Sequence, residues 1–322
     1  MRYFLVVFMI YLTACAQEKN KTMKTTQDIY SLNKDIKKYP QEPMYKLILT
    51  SSECSFYLLV NDIPLYKFFG SSGGVGATSL PMNWNIANSG KQKITVRMYP
   101  KYSSASKEME KTLGLNAGVK FSIERELKGE DETVFEFKTP FKDFDGKGGG
   151  GFPYPNKPYY EETVFVNLEV PYQISVLDNA EKLYTDDTDK LKQLQQEVLS
   201  KYNQIRNIYL KGTKDDLANV NYGKEKRIAQ QMYYTPQELK SGWDNDYQFR
   251  TDSNLEFFDL KPIENFKMTF YADGKLVCLE KINNKKSALW GGFKRKDKDI
   301  GTTTYIIMYL YRPKGSKTLE IY

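Results

Sequence analysis

The chain has 322 residues, a length that suits about two domains at roughly 150 residues each. With 40% hydrophobic and 27% charged residues and a mean hydropathy of −0.59, it has a globular composition rather than a disordered or multi-spanning one. The formal charge is +7 and histidine is absent, which removes Ser-His-Asp and Cys-His catalysis, histidine metal sites and a histidine pH switch.

In chain order, the first signal is the N-terminus. Arg2 gives a positive start, residues 3–12 form an apolar run, and the small residues Thr13 and Ala14 precede Cys15. A run of about ten residues is too short to cross a ~30 Å hydrocarbon layer and has the build of a secretory leader. Leu12-Thr13-Ala14-Cys15 also resembles the lipobox of bacterial lipoproteins: an aliphatic residue, two small or neutral residues, then Cys. The resemblance implies that Cys15 becomes the acylated N-terminus of the mature protein and its membrane anchor. Ala16 in place of an Asp implies the outer membrane, with its periplasmic and outer faces both left open. Several acyl chains at about 0.8 kcal/mol per buried CH₂ hold stably where one holds marginally. Residues 16–43, rich in Ser, Thr, Lys and Asn up to residue 38, read as a flexible tether.

From residue 45 onward, short Val-, Ile-, Phe- and Tyr-rich runs alternate with turn residues. Strands are expected at 45–50, 55–60, 63–66, 82–86, 93–98, 119–124, 133–138 and 163–170. In Lys120-Phe121-Ser122-Ile123-Glu124 the apolar and polar residues alternate, as they do on strands with one face in a core and one in water. Seven or eight strands at this spacing predict an all-β antiparallel sandwich over residues 44–180. Around 60–64, 81–83 and 90–100 the sequence resembles bacterial immunoglobulin-like and lectin-like modules, which bears on fold and not on function. The glycines at 73, 74 and 76 lack a following Gly-Lys-Ser/Thr and read as a flexible loop. The run at 148–151 followed by Phe152, Tyr154, Tyr159 and Tyr160 among prolines favours extended backbone. These four aromatics are candidate contacts to a protein or a glycan, or else belong to a long loop folded over its own sandwich.

The periodicity changes at Asp186. Leu191, Leu194, Val198, Tyr202, Ile205 and Tyr209 recur at steps of three and four after a capping stretch, so an amphipathic helix is expected, ended by Gly212. A weaker helix follows from Asp215, and Thr235-Pro236-Gln237-Glu238 is a capping-box signature for a third, with Gly242 as its stop. Strands then take over, with a hairpin around Ala272-Asp273-Gly274. Helices followed by antiparallel strands over 181–322 predict an α+β domain, its helices packed on a curved sheet. That order resembles the nuclear transport factor and cystatin-like group, which implies a pocket between sheet and helix. The fold class expected overall is therefore α+β.

No catalytic, cofactor or metal motif emerges. Asp186, Asp187 and Asp189 lie at a helix start, where acidic residues cap and complement the dipole. Asp244 and Asp246 alternate as in a calcium loop, without its Gly and distal Glu. Cys54 and Cys278 read as buried free thiols. The basic residues Lys281, Lys285 and Lys286, and Lys294 to Lys296, read as solvated surface without the stacking pattern of a nucleic-acid binder. The function expected is a lipid-anchored, non-catalytic envelope protein that binds a protein partner, in the manner of immunity proteins. Glycan capture at the cell surface and an enzyme pocket in the second domain are the alternatives.

Overall fold

Branched and aromatic side chains favour strands because they pack well on a half-buried pleated surface. The computed structural model describes residues 22–70, 73–103, 106, 108–144, 146 and 149–322, with backbone alone at 248–251. The leader, Cys15 and the tether up to residue 21 lie outside the described residues. Among the described residues, twelve strands form in the first half: β1 (Met44–Ser52), β2 (Cys54–Val60), β3 (Ile63–Phe68), β4 (Thr78–Pro81), β5 (Gly90–Pro100), β6 (Tyr102–Ser103), β7 (Glu108–Met109), β8 (Gly118–Leu127), β9 (Glu130–Lys138), β10 (Lys142–Asp143), β11 (Gly150–Gly151) and β12 (Tyr160–Leu168). Two four-stranded antiparallel sheets carry most of them, in the orders β4-β1-β8-β9 and β12-β5-β2-β3.

Alternate residues from both sheets meet in one apolar core, including Leu47 and Leu49, Phe56 and Leu58, Val96 and Met98, Phe121 and Ile123. The two-residue period of the pleat puts these side chains on one face. Strand β2 departs from the half-exposed expectation. All of its residues are buried, because Tyr57 and Leu59 on the opposite face join Ile63 and Phe69 in a second core with residues beyond 180. The expected strand at 82–86 is instead a 3₁₀ turn, Asn83–Asn85. Buried Asn83 accepts from the Tyr45 amide (2.7 Å) and donates to the carbonyls of Pro43 (3.1 Å) and Gln231 (3.2 Å). Such side-chain bonding to the backbone competes with a sheet ladder.

The tether expectation is corrected from Thr25 onward. Residues Thr26–Tyr30 form α1, capped by reciprocal Thr25 and Asp28 hydrogen bonds, and Leu32–Lys34 form a 3₁₀ turn. Ile29, Leu32 and Ile36 sit at helical steps of three and four, and all are buried. They share a cluster with Leu217, Ala218, Leu239 and Trp243, so apolar burial fixes a segment whose composition is otherwise polar.

Three longer helices follow: α2 (Thr188–Lys211), α3 (Lys214–Gln231) and α4 (Pro236–Thr251). Asp187 caps α2 by accepting from the amides of Asp189 and Lys190, and Gly212 terminates it. The Thr235–Glu238 box caps α4, with Thr235 and Glu238 bonding each other's amides. Gly242 does not stop this helix. It costs about 1 kcal/mol relative to Ala, yet the flanking residues Leu239 and Trp243 are buried and hold the helix through it.

The last strands are β13 (Leu255–Leu260), β14 (Phe266–Tyr271), β15 (Leu276–Lys281), β16 (Trp290–Arg295), β17 (Thr302–Tyr305), β18 (Leu310–Tyr311) and β19 (Glu320–Ile321). They divide into two sheets, β13-β16-β17 and β14-β15-β18-β19, rather than one curved meander. Between β17 and β18 the chain crosses from one sheet to the other. There buried Tyr202 of α2 donates to the Met308 carbonyl (2.8 Å) and accepts from the Leu279 amide (3.0 Å). Leu194, Val198, Tyr202 and Ile205 fill the space beside Leu276, Val277, Leu279 and Leu310. The fold is mixed α+β with antiparallel sheets dominant, 37% strand against 22% helix.

Candidate functional site

The Pro-aromatic loop splits its four candidate residues. Glycines are needed at 150 and 151 because the backbones close in: a Cβ would lie 2.3 Å from the Lys142 carbonyl oxygen and 2.5 Å from that of Leu115. Residues 147 and 148 lie outside the described residues. Phe152 is not a surface contact. It is 2% exposed and belongs to the core between the two sheets, since a ring of that size gains more from burial than from display. Tyr160 is half-buried on β12, stacks on Tyr154 at 5.7 Å and donates to Glu162 (2.7 Å). Tyr159 rests on Tyr99 at 5.2 Å and donates to Glu161, which also accepts from Arg97 (2.7 Å). Tyr154 and Tyr159 stay exposed, and the segment between them is held by the Asn156 amide on the Leu113 carbonyl (3.0 Å) and the Leu113 amide on that of Lys157 (2.8 Å).

The acidic clusters are already engaged. Asp187 is the α2 cap, and Asp189 lies 3.5 Å from Lys192. Asp244 sits inside α4, where it pairs with Lys214 and Lys240 and accepts from the Tyr30 hydroxyl. Hydrogen bonds from Lys214, then Lys240 and Tyr30, hold its carboxyl well below the usual carboxylate range. Asp187 is thus engaged by backbone amides and Asp244 by two lysines. Cys54 and Cys278 are free and buried. Burial pushes the Cys54 thiol up to about 12 and raises that of Cys278 as well, so neither presents a thiolate.

A polar cluster that the sequence did not announce lies where β3 meets β15. Glu280 is 1% exposed and pairs with Lys67 at 2.5 Å. Its carboxylate also accepts from the hydroxyls of Tyr271 (2.7 Å), Thr269 (3.2 Å) and Tyr57 (3.4 Å). The Lys67 ammonium lies 4.9 Å from the Tyr271 ring centroid and 5.4 Å from that of Tyr57. Burial alone would raise the Glu280 carboxyl, but Lys67 and the hydroxyls bring it below the ordinary glutamate range. The pair is saturated with partners, which is the condition for a buried ion pair to be tolerated. A charge interrupting one apolar run, Leu65-Tyr66-Lys67-Phe68-Phe69, and another closing a second, Leu276-Val277-Cys278-Leu279-Glu280, were the available signal.

Beside this junction two cavities adjoin at Asn283. The larger, about 480 Å³, lies between Phe69, Tyr102, Met109 and the Asn283-Asn284 turn; the other, about 330 Å³, between Lys261, Asn265, Lys281 and Trp290. Both fall within the roughly 300–1,000 Å³ of small-ligand sites. A tight turn brings the lysines together, with the Lys281 amide bonded to the Lys286 carbonyl (2.8 Å) and the Lys285 amide to that of Lys281 (3.0 Å). The Lys281 ammonium lies 3.7 Å from the Trp290 ring centroid, and that of Lys286 lies 4.8 Å from the Tyr305 ring, itself stacked on Trp290. Burial, with Lys286 nearby, lowers Lys281; burial, with Lys267 nearby, lowers Lys285. The basic run at 281–286, expected as plain solvated surface, is thus built against aromatic rings.

No family model matches this chain, and neither a curated protein nor a solved structure matches it.

Proposed function

We propose that this is a lipid-anchored, non-catalytic binding protein of the cell envelope, held at the outer membrane through Cys15. The observation that carries the reading is Leu12-Thr13-Ala14-Cys15 after a short apolar leader. The engaged state of Asp187 and Asp244, the inert thiols and the filled interior beneath α2 favour binding over turnover. In this reading residues 44–180 are an immunoglobulin-like sandwich and 181–322 an α+β body of the nuclear transport factor and cystatin type. The face-to-face sheets support the first part, and the stripe of α2 over β15 supports the second.

A protein partner, as for an immunity protein, suits a body presented by its surface. Glycan binding is the second reading, favoured by the amide- and lysine-lined cavities beside Trp290. Detergent phase partitioning of wild type and Cys15→Ser tests the anchor. The wild type is expected in the detergent phase and the variant in the aqueous phase; equal partitioning would remove the lipoprotein reading.

A further inference from the structure

We propose that the paired cavities around Asn283 form a binding site for an anionic oligosaccharide, with Lys281 and Lys286 reading its carboxylate or sulfate groups. The inference rests on the binding-protein reading and names the ligand class for it.

Charge is the first argument. One turn crowds Lys281, Lys285 and Lys286 together, with Lys267 close to Lys285. Among the described residues none of these four ammonium groups has a carboxylate within 4 Å, whereas Lys261 and Lys294 on the neighbouring strands do. Like charges gathered without a carboxylate in ion-pair contact repel, and an anionic ligand relieves that repulsion. The Trp290 and Tyr305 faces hold the ammonium groups in place, because the ring quadrupole attracts a cation. The lysines are thereby ordered before a ligand arrives, which lowers the entropic cost of binding.

The remaining lining argues for a sugar over an acidic peptide. Asn265, Asn283 and Asn284 each present an amide that can donate and accept, which suits vicinal hydroxyls. Phe69 and Tyr102 offer ring surface in the larger cavity, while Glu108 and Glu264 add acceptors for the hydroxyls between a sugar's charged groups. Amides and aromatics with an excess of lysine match a ligand that is mostly hydroxylated and carries spaced negative charges.

The test is affinity electrophoresis and calorimetry on the full chain. The probes are an oligogalacturonate, a sulfated heparin fragment, a neutral dextran fragment of similar length and poly-glutamate. At least one of the two acidic sugars is expected to bind and the other two probes not. The binding should weaken with salt, and Lys281→Gln combined with Lys286→Gln should raise Kd about tenfold or more. Lys190→Gln combined with Lys192→Gln, on the exposed start of α2, should leave Kd unchanged, and circular dichroism checks that each variant is folded. Which acidic sugar binds separates carboxylate from sulfate recognition. Acidic-sugar binding unaffected by the Lys281 and Lys286 changes would overturn the site while leaving a glycan-binding protein. Binding of poly-glutamate alone would overturn the ligand class, and binding of none of the four would overturn both.

Discussion

The core between the two sheets of the first half and the core where those sheets meet the second half are built differently. The first is packed from Leu47, Phe56, Met98, Phe121 and their neighbours. The second carries Glu280 against Lys67 under a roof of tyrosines. Glu280 and Arg227 are the charged residues in the buried set of the described residues. Both lie at contacts between distant parts of the chain: Arg227 donates to the Trp84 carbonyl (3.0 Å) and lies over the Tyr322 ring. Apolar packing tolerates many registers of similar energy, whereas a buried ion pair is stable only in the one arrangement that satisfies it. We therefore expect the sandwich core to supply bulk stability and the polar junction to select how the two halves meet.

Breaking the junction should have the largest effect. Lys67→Met leaves Glu280 buried without its counter-charge and should cost about 3–5 kcal/mol. Adding Glu280→Met should restore most of that loss, which urea unfolding would show as recovery of the midpoint. If the double variant is no better than the single, the pair is not the source of the cost. Leu47→Ala in the apolar core should cost about 2–5 kcal/mol through lost burial and a cavity. No second-site change of charge should rescue it, and the loss should be the same at pH 5 and pH 8.

The two cores also part in their response to acid. The folded carboxyl of Glu280 sits below its ordinary value, so its contribution is complete above about pH 4.3 and is lost as pH falls through the folded value. Glu280→Gln should therefore flatten the acid side of the stability profile, whereas Leu47→Ala should shift the whole profile without changing its shape. The smallest effect is expected at a site that touches neither core. A Cβ at Gly242 meets nothing within 4 Å, and Gly242→Ala in mid-helix should stabilise by up to about 1 kcal/mol, read as a rise in Tm.

Local signals carried much of the fold. Asp187 and Gly212 bracket α2 as its pattern implies, and the turn at Asn61-Asp62 joins β2 to β3. Chain-distant contacts explain what was not legible. Asn83 turns a strand-like run into a 3₁₀ segment by bonding Tyr45 and Gln231, and no local propensity encodes those partners. Ile29, Leu32 and Ile36 did show helical spacing, but the surrounding polar composition concealed it until Leu217 and Trp243 supplied a surface to bury them. Of the aromatic loop, Tyr154 and Tyr159 are exposed while Phe152 turns inward. The lysine turn at 281–286 was visible as charge; its place against Trp290 and Tyr305, four and nineteen positions beyond Lys286, follows only from strand pairing between β16 and β17.

Metabolic labelling with an alkyne palmitate, read by click chemistry and mass spectrometry on protein from the native envelope, tests the anchor most directly. A mature chain beginning at Cys15 and carrying thioether-linked diacylglycerol is the result predicted. An unlabelled chain, or one whose N-terminus lies elsewhere with Cys15 removed or free, would contradict it.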